Sequence, residues 1–296
     1  MLVQILLFIV GLALVVFGAD YLVEGASAVA RKAGLSEFII GLTIVGMGTS
    51  APEMVVSFIG AAQGNADIAL GNVVGSNIFN TLLILGVTAL ILPMAITAEN
   101  RRRDIPMNIL TVVILILLGL EQTIFGFSSD GLTCLDGGIL LALFIGYMWL
   151  SLKTSKPEAN AASEEKQLKI WLAIIYILGG IAALIFGGQL FVNSAVYIAH
   201  SLGVSDKFIA ITILAGGTSM PELATCVAAA VKKKGQLALG NIIGSNIFNI
   251  LLILGGSALI HPLSFEGISL IDLGVLLLII GFGLGQMTKE EYAIYG

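Results

Sequence analysis

GTSAPE at residues 48–53 returns as GTSMPE at 217–222, and LGNVVGSNIFNTLLILG at 70–86 returns as LGNIIGSNIFNILLILG at 239–255. Both pairs are displaced by the same 169 residues. The offset runs without a gap from Phe17/Phe186 to Pro93/Pro262, with roughly 35 identities over about 77 positions, so the chain contains an internal duplication. Any fold assigned to one half must therefore serve for the other.

The medium comes next. Of 296 residues 57% are hydrophobic and 11% charged, with a mean hydropathy of +1.03. Soluble domains carry about 25% charged residues. Apolar runs of about 20 residues, the length that crosses a bilayer core, recur along the chain. They are continuous rather than alternating over about ten residues, which excludes an outer-membrane barrel. Nine spans are expected, near 3–31, 36–62, 67–92, 104–121, 131–152, 168–200, 206–231, 236–260 and 268–287. Residues 1–16 lack a basic start and a small-residue cleavage site, so they belong to the first span. Cys134 and Cys226 have neither metal-ligand nor disulfide spacing and read as small apolar fillers.

The stretch KTSKPEANAASEEKQL at 153–168 is polar and contains Pro. It reads as a linker between a first half at 1–152 (spans 1 to 5) and a second at 169–296 (spans 6 to 9). Span 5 has no partner in the second half, because the chain closes with TKEEYAIYG. A tenth helix is expected to be missing or cut short.

Positive charge fixes the orientation. Arg31 and Lys32, Arg101–Arg103, Lys153, Lys156, Lys166, Lys169, Lys232–Lys234 and Lys289 fall at span ends on one side, and Lys207 stands alone on the other. By the positive-inside rule the linker is cytoplasmic and the N-terminus outside a multi-pass inner (plasma) membrane protein. Five spans separate the repeats, so they enter from opposite sides. Accordingly Arg31 and Lys32 correspond to His200 and Ser201, and Lys232–Lys234 to Gln63–Asn65. The expected fold is an all-α polytopic membrane protein of two inverted-topology repeats, an arrangement typical of secondary transporters.

Ionisable residues inside a bilayer mark functional sites. Glu53 and Glu222 lie mid-span at equivalent positions, each after Gly-Thr-Ser-x-Pro. Proline should break both helices, releasing carbonyls of Gly46, Met47, Ala215 and Gly216 beside the hydroxyls of Thr49, Ser50, Thr218 and Ser219. Ser76 and Asn80 are four apart and share a face, as do Ser245 and Asn249. Asn72, Asn77, Asn241 and Asn246 lie on other faces and should bond helix ends or neighbouring spans. Every candidate ligand is oxygen, the preference of hard cations such as Ca2+ and Na+. Two carboxylates neutralise one Ca2+. No resident cofactor is expected beyond these ions.

The paired GTSxPE and GNxxGSNIxN segments resemble the repeats of the sodium/calcium exchanger superfamily. The resemblance implies alternating access with Na+ exchanged for Ca2+, and an excess of sodium charge that makes transport electrogenic. It implies that Thr49, Ser50, Glu53, Ser76 and Asn80 face Thr218, Ser219, Glu222, Ser245 and Asn249 around the ions, while spans 1 and 6 slide as a gate. Potassium-dependent relatives carry Asp at the position of Asn249, as do some potassium-independent archaeal members, whereas this chain has Asn in both halves; with only two carboxylates it should be K+-independent. Proton-coupled relatives place Glu in the segment matching GNVVGS, and none occurs here.

Other classes fit less well. Channels usually assemble several subunits around a pore, whereas this chain is expected to act as a monomer with ions and lipid as its only partners and no nucleic acid. An enzyme would need a nucleophile–base pair or HExxH, yet His200 and His261 sit at span ends. The remaining competitor is antiport with another pairing, such as H+ for Ca2+.

Overall fold

The chain folds as an all-α polytopic membrane protein; the computed structural model describes residues 1–126, 130–154, 168–203, 216–265, 268 and 270–287. Helix α1 (Leu2–Ala33) stops at Gly34, whose left-handed φ of 64° turns the chain after Arg31 and Lys32. Ser36 then caps the next helix by accepting from Ile39 N–H. Helices α2 (Glu37–Thr49) and α3 (Ala51–Ala62) meet at a bend of 50°. Asn65 caps α4 (Ala66–Ile91). A π-helical turn at Asn100–Asp104 leads into α5 (Ile105–Gly119), and the short α6 (Glu121–Phe125) follows. The remaining helices are α7 (Cys134–Thr154), α8 (Ile170–Ser201), α9 (Met220–Val231), α10 (Gly235–Ile260) and α11 (Leu270–Met287). β1 (Gly131–Leu132) pairs antiparallel with β2 (Leu263–Ser264), tying the loop before α7 to the loop after α10.

Helices α1, α4, α7, α8 and α10 are each long and apolar enough to cross a bilayer, and the bent α2–α3 pair is a sixth if it counts as one span. α9 is shorter, and the beginning of the expected 206–231 span lies outside the described residues, as do most of the 153–168 linker and the final residues 288–296. The fourth span begins earlier than expected. Thr97 and Asn100 cap one another, with the Asn100 N–H donating to Thr97 Oγ1 at 3.1 Å and the Thr97 N–H to Asn100 Oδ1 at 3.1 Å. That local cap starts the helix before Arg101–Arg103, where apolar periodicity gives no signal.

By packing, the described residues fall into two compact units. The first comprises Met1–Pro52, Val87–Pro93 and Thr154–Gly244; the second comprises Glu53–Gly86, Met94–Lys153 and Ser245–Gly296. Each draws on both repeats.

In the first unit α1 and α8, equivalent helices of the two repeats, cross antiparallel on glycine. A Cβ placed on Gly11 would come within 2.9 Å of the Gly187 carbonyl oxygen, and one on Gly180 within 2.7 Å of the Gly18 oxygen. The 169-residue offset maps Gly11 onto Gly180 and Gly18 onto Gly187, so the contact repeats itself in reverse. Phe8 with Phe191 and Tyr21 with Tyr176 extend the seam as ring pairs with centroids 4.5 and 4.9 Å apart. Small residues at such a crossing permit close van der Waals approach where lipid offers no hydrophobic drive. An antiparallel pairing of equivalent helices is what inverted repeats produce. The loop after α9 is tied down by ion pairs, Lys232 Nζ to Asp20 Oδ1 at 2.6 Å and Lys234 Nζ to Glu37 Oε1 at 3.6 Å. Lys233 between them holds φ 59°, the conformation Gly64 takes in the first repeat with φ 70°.

The second unit holds an ionic knot. Asp104 is fully buried. It accepts from Arg103 Nε at 2.7 Å, Tyr147 Oη at 2.9 Å and Asn100 Nδ2 at 3.3 Å. Burial of that charge is tolerated because its lone pairs are occupied. Asp136 lies in the first turn of α7 and accepts from the Thr133 N–H at 2.8 Å. Asp130 in the preceding loop accepts from the Thr123 hydroxyl and N–H, which hold its carboxyl below the usual range.

Candidate functional site

The break in each repeat follows from its sequence. Proline has no N–H and its ring collides with the carbonyl four residues earlier, so a helix arriving from the N-terminal side must end before it. The first turn of a helix does accept proline, since the N–H there has no intrahelical partner. Pro52 and Pro221 are each the second residue of a new helix, α3 and α9. The residues that absorb the break are Ser50 (φ −80°, ψ 8°) and Ser219 (φ −86°, ψ 7°), nearly the same bridge-region conformation twice. Glu53 and Glu222 fall in the first turns that follow, where the helix dipole favours negative charge. Both are 1% exposed.

Ser-x-Pro-Glu also has the spacing of a capping box, in which the serine would bond its own helix. The structure uses it otherwise. Ser219 makes no side-chain cap, and Ser50 Oγ donates to Glu222 Oε1 of the other repeat at 2.9 Å. In the same unit Thr49 Oγ1 donates to Asn241 Oδ1 at 3.1 Å, and Asn241 Nδ2 lies 3.2 Å from Cys226 Sγ. Glu222 Oε2 meets no hydrogen-bond partner among the described residues. Thr218 is half-buried in the turn before α9, and Ser219 is buried. The Gly46 carbonyl is not left open by the break as expected: it accepts from the Ser50 N–H at 3.0 Å and lies 3.4 Å from Thr49 Oγ1. A hydroxyl has one hydrogen, and the shorter bond to Asn241 claims it, so one lone pair of the Gly46 oxygen remains for a ligand. Ala215 lies outside the described residues.

The second unit carries Glu53, Ser76, Asn80, Ser245 and Asn249, all buried. Asn72 Nδ2 donates to the Glu53 carbonyl at 3.1 Å and to Ser57 Oγ at 3.0 Å, fixing the turn that presents the glutamate. Ser57 is the counterpart of Cys226, so each repeat links its Gly-Asn to the same position one turn beyond its glutamate. Cys226 is thus more than the filler it was taken for, and the offset carried the signal. Both α4 and α10 widen into π turns beginning at Asn80 and Asn249 (Asn80–Ile84 and Asn249–Leu254). Such turns are frequent at functional sites. Asn80 Oδ1, Asn249 Oδ1 and Ser245 Oγ have no hydrogen-bond partner among the described residues. Asn77 and Asn246, expected to bond neighbouring spans, join α4 to α10: Asn77 Nδ2 reaches the Asn246 carbonyl at 3.1 Å and Asn246 Nδ2 reaches Thr81 Oγ1 at 3.0 Å.

Comparison with known proteins extends this picture. The family described as sodium/calcium exchanger protein matches residues 3–153 and 172–288. The inner membrane protein YrbG of Escherichia coli is 37% identical over 268 residues, covering 88% of this chain and 81% of its own. Sodium/calcium exchanger MaX1 of Methanosarcina acetivorans is 34% identical over 301 residues, covering 90% and 86%. A solved structure of the sodium-calcium exchanger NCX_Mj, soaked with Na+ and Sr2+, superposes with a TM-score of 0.82 at 32% identity, covering 100% of this chain and 92% of that one. The family match and the likeness to NCX_Mj make this a cation antiporter of the membrane. The chain belongs to the sodium/calcium exchanger family.

Proposed function

We propose that this protein exchanges Na+ for Ca2+ by alternating access, electrogenically and without K+. The observation that carries the reading is a surplus of buried acceptors. Glu222 Oε2, Asn80 Oδ1, Asn249 Oδ1 and Ser245 Oγ meet no partner among the described residues. A buried acceptor without a donor is costly; one hard cation removes that cost at several oxygens at once, whereas an anion adds to it. Ca2+ takes about 6–8 oxygens. The ligands we assign are the carboxylates of Glu53 and Glu222, the hydroxyls of Thr49, Ser50, Thr218, Ser219, Ser76 and Ser245, the amide oxygens of Asn80 and Asn249, and the carbonyls of Gly46 and Ala215.

Two carboxylates balance the charge of one Ca2+, and the neutral asparagines leave no third anion for K+ to offset. Na+ ions replace Ca2+ by dividing the same oxygens among smaller charges. The distribution of Lys and Arg supports an external N-terminus and a cytoplasmic 153–168 linker, and a monomer suffices for the reaction. Proteoliposomes loaded with Na+, with K+ absent and a protonophore present, test the reading. Calcium uptake that needs the outward Na+ gradient and carries current supports it. Uptake driven by a pH gradient instead would move the coupling to protons, and silent electrical recordings would make the exchange electroneutral.

A further inference from the structure

Asparagine can turn either its oxygen or its NH2 group toward a ligand, and only the oxygen suits a cation. We infer that Asn77 and Asn246 are positioning residues that hold the amides of Asn249 and Asn80 with their oxygens toward the ion. The inference rests on the assignment of Asn80 and Asn249 as cation ligands.

The chain of bonds starts at a group with no choice. The Asn246 main-chain carbonyl can only accept, so Asn77 must turn its Nδ2 toward it, at 3.1 Å. Asn77 Oδ1 then faces Asn249, which must donate its Nδ2, at 2.9 Å. The Asn249 oxygen is left on the far side, buried and without a partner among the described residues. In the other repeat Asn80 Nδ2 donates to Asn246 Oδ1 at 3.2 Å, which likewise leaves Asn80 Oδ1 open. Here the anchor differs: Asn246 Nδ2 rests on the Thr81 hydroxyl at 3.0 Å. A hydroxyl can donate as well as accept, so this second lock can reverse. The counterpart of Thr81 is Ile250, and the first lock uses no hydroxyl. Asn249 is therefore fixed, and Asn80 is the amide that can turn over.

The test is equilibrium binding of radiolabelled Ca2+, with Sr2+ and Na+ as competitors, to the purified full chain. Asn77→Leu should weaken Ca2+ binding about tenfold, because the Asn249 amide loses the acceptor that keeps its oxygen toward the ion. In an Asn249→Asp background the same change should have less than about a twofold effect, because a carboxylate presents oxygen whichever way it turns. Thr81→Val, close to isosteric and so tolerant in folding, should weaken binding by about threefold in the native background and not in Asn80→Asp, since the hydroxyl's share is a neutral hydrogen bond. Equal losses in both backgrounds would mean that Asn77 and Thr81 only pack, and no loss in either would remove them from the site; each result overturns the inference. A wild-type protein that binds these cations without exchanging them contradicts the antiport reading while the comparison of amides stands. A wild-type protein that binds none of them overturns both.

Discussion

Ser50 donates its hydroxyl hydrogen to Glu222 at 2.9 Å, joining residues 172 positions apart and belonging to different repeats. The bond occupies one carboxylate oxygen and leaves the other open. Replacing the acid tests the charge, and replacing the serine tests the orientation. Glu222→Gln should eliminate Na+-dependent Ca2+ uptake in proteoliposomes. Ser50→Ala should retain it with about a tenfold poorer Ca2+ affinity, the scale of one hydrogen bond to a charged group. Near-normal uptake by the glutamine variant would remove Glu222 from the ion path.

The glycine crossing of α1 and α8 makes a steric prediction. A Cβ on Gly180 would lie 2.7 Å from the Gly18 oxygen and 2.9 Å from Leu22 Cβ, with nothing able to give except the helix itself. Gly180→Val should cost about 1–3 kcal/mol, the usual penalty of overpacking. Gly179, which meets no described atom within 4 Å, serves as the control. Thermal unfolding in detergent should separate Gly180→Val from Gly179→Ala by several degrees, and coincident curves would argue against a tight seam.

Asp104 and its partners should respond asymmetrically. Tyr147→Phe removes one of several bonds to the carboxylate and should cost about 1 kcal/mol. Asp104→Ala removes a buried carboxylate that accepts from Arg103, Tyr147 and Asn100 together, and should cost about 3–5 kcal/mol. Denaturation by heat or urea measures both, and similar small losses would mean that water already reaches the knot.

The ion pair of Lys232 with Asp20 is short, at 2.6 Å, yet its side chains are 27% and 51% exposed. Solvent screening decides the matter: Lys232→Gln should change stability by no more than about 1 kcal/mol. A larger loss in the same thermal assay would show that the loop after α9 is anchored more firmly than its exposure implies.

Much of this was legible in the residues. Gly-Thr-Ser-x-Pro-Glu forces a break before proline and puts the glutamate in a new first turn, because both are local rules. The pairing of Asn77 with Asn249 and of Asn246 with Asn80 was not legible. It depends on how α4 crosses α10, which periodicity does not encode. The burial of Asp104 is hidden for a related reason: it follows three arginines in sequence, and one of its donors, Tyr147, is 43 residues away. The Gly46 carbonyl looked open because proline predicts where a helix stops, but not how the final turn closes. Here the Ser50 N–H still reaches back to it.

The reciprocal contacts described above, Gly11 to Gly187 with Gly18 to Gly180, and Asn80 to Asn246 with Asn249 to Asn77, have the form of an isologous interface between two identical subunits. Within one chain that interface has become heritable as two separate surfaces. In a homodimer every substitution is felt twice, once on each side of the axis. In a single chain each side can differ alone, and here it does: Thr81 corresponds to Ile250, Ser57 to Cys226, and Asp20 to Gln189. Two identical inverted repeats would have no inherent front and back, whereas these unmatched pairs make the two faces of this chain different.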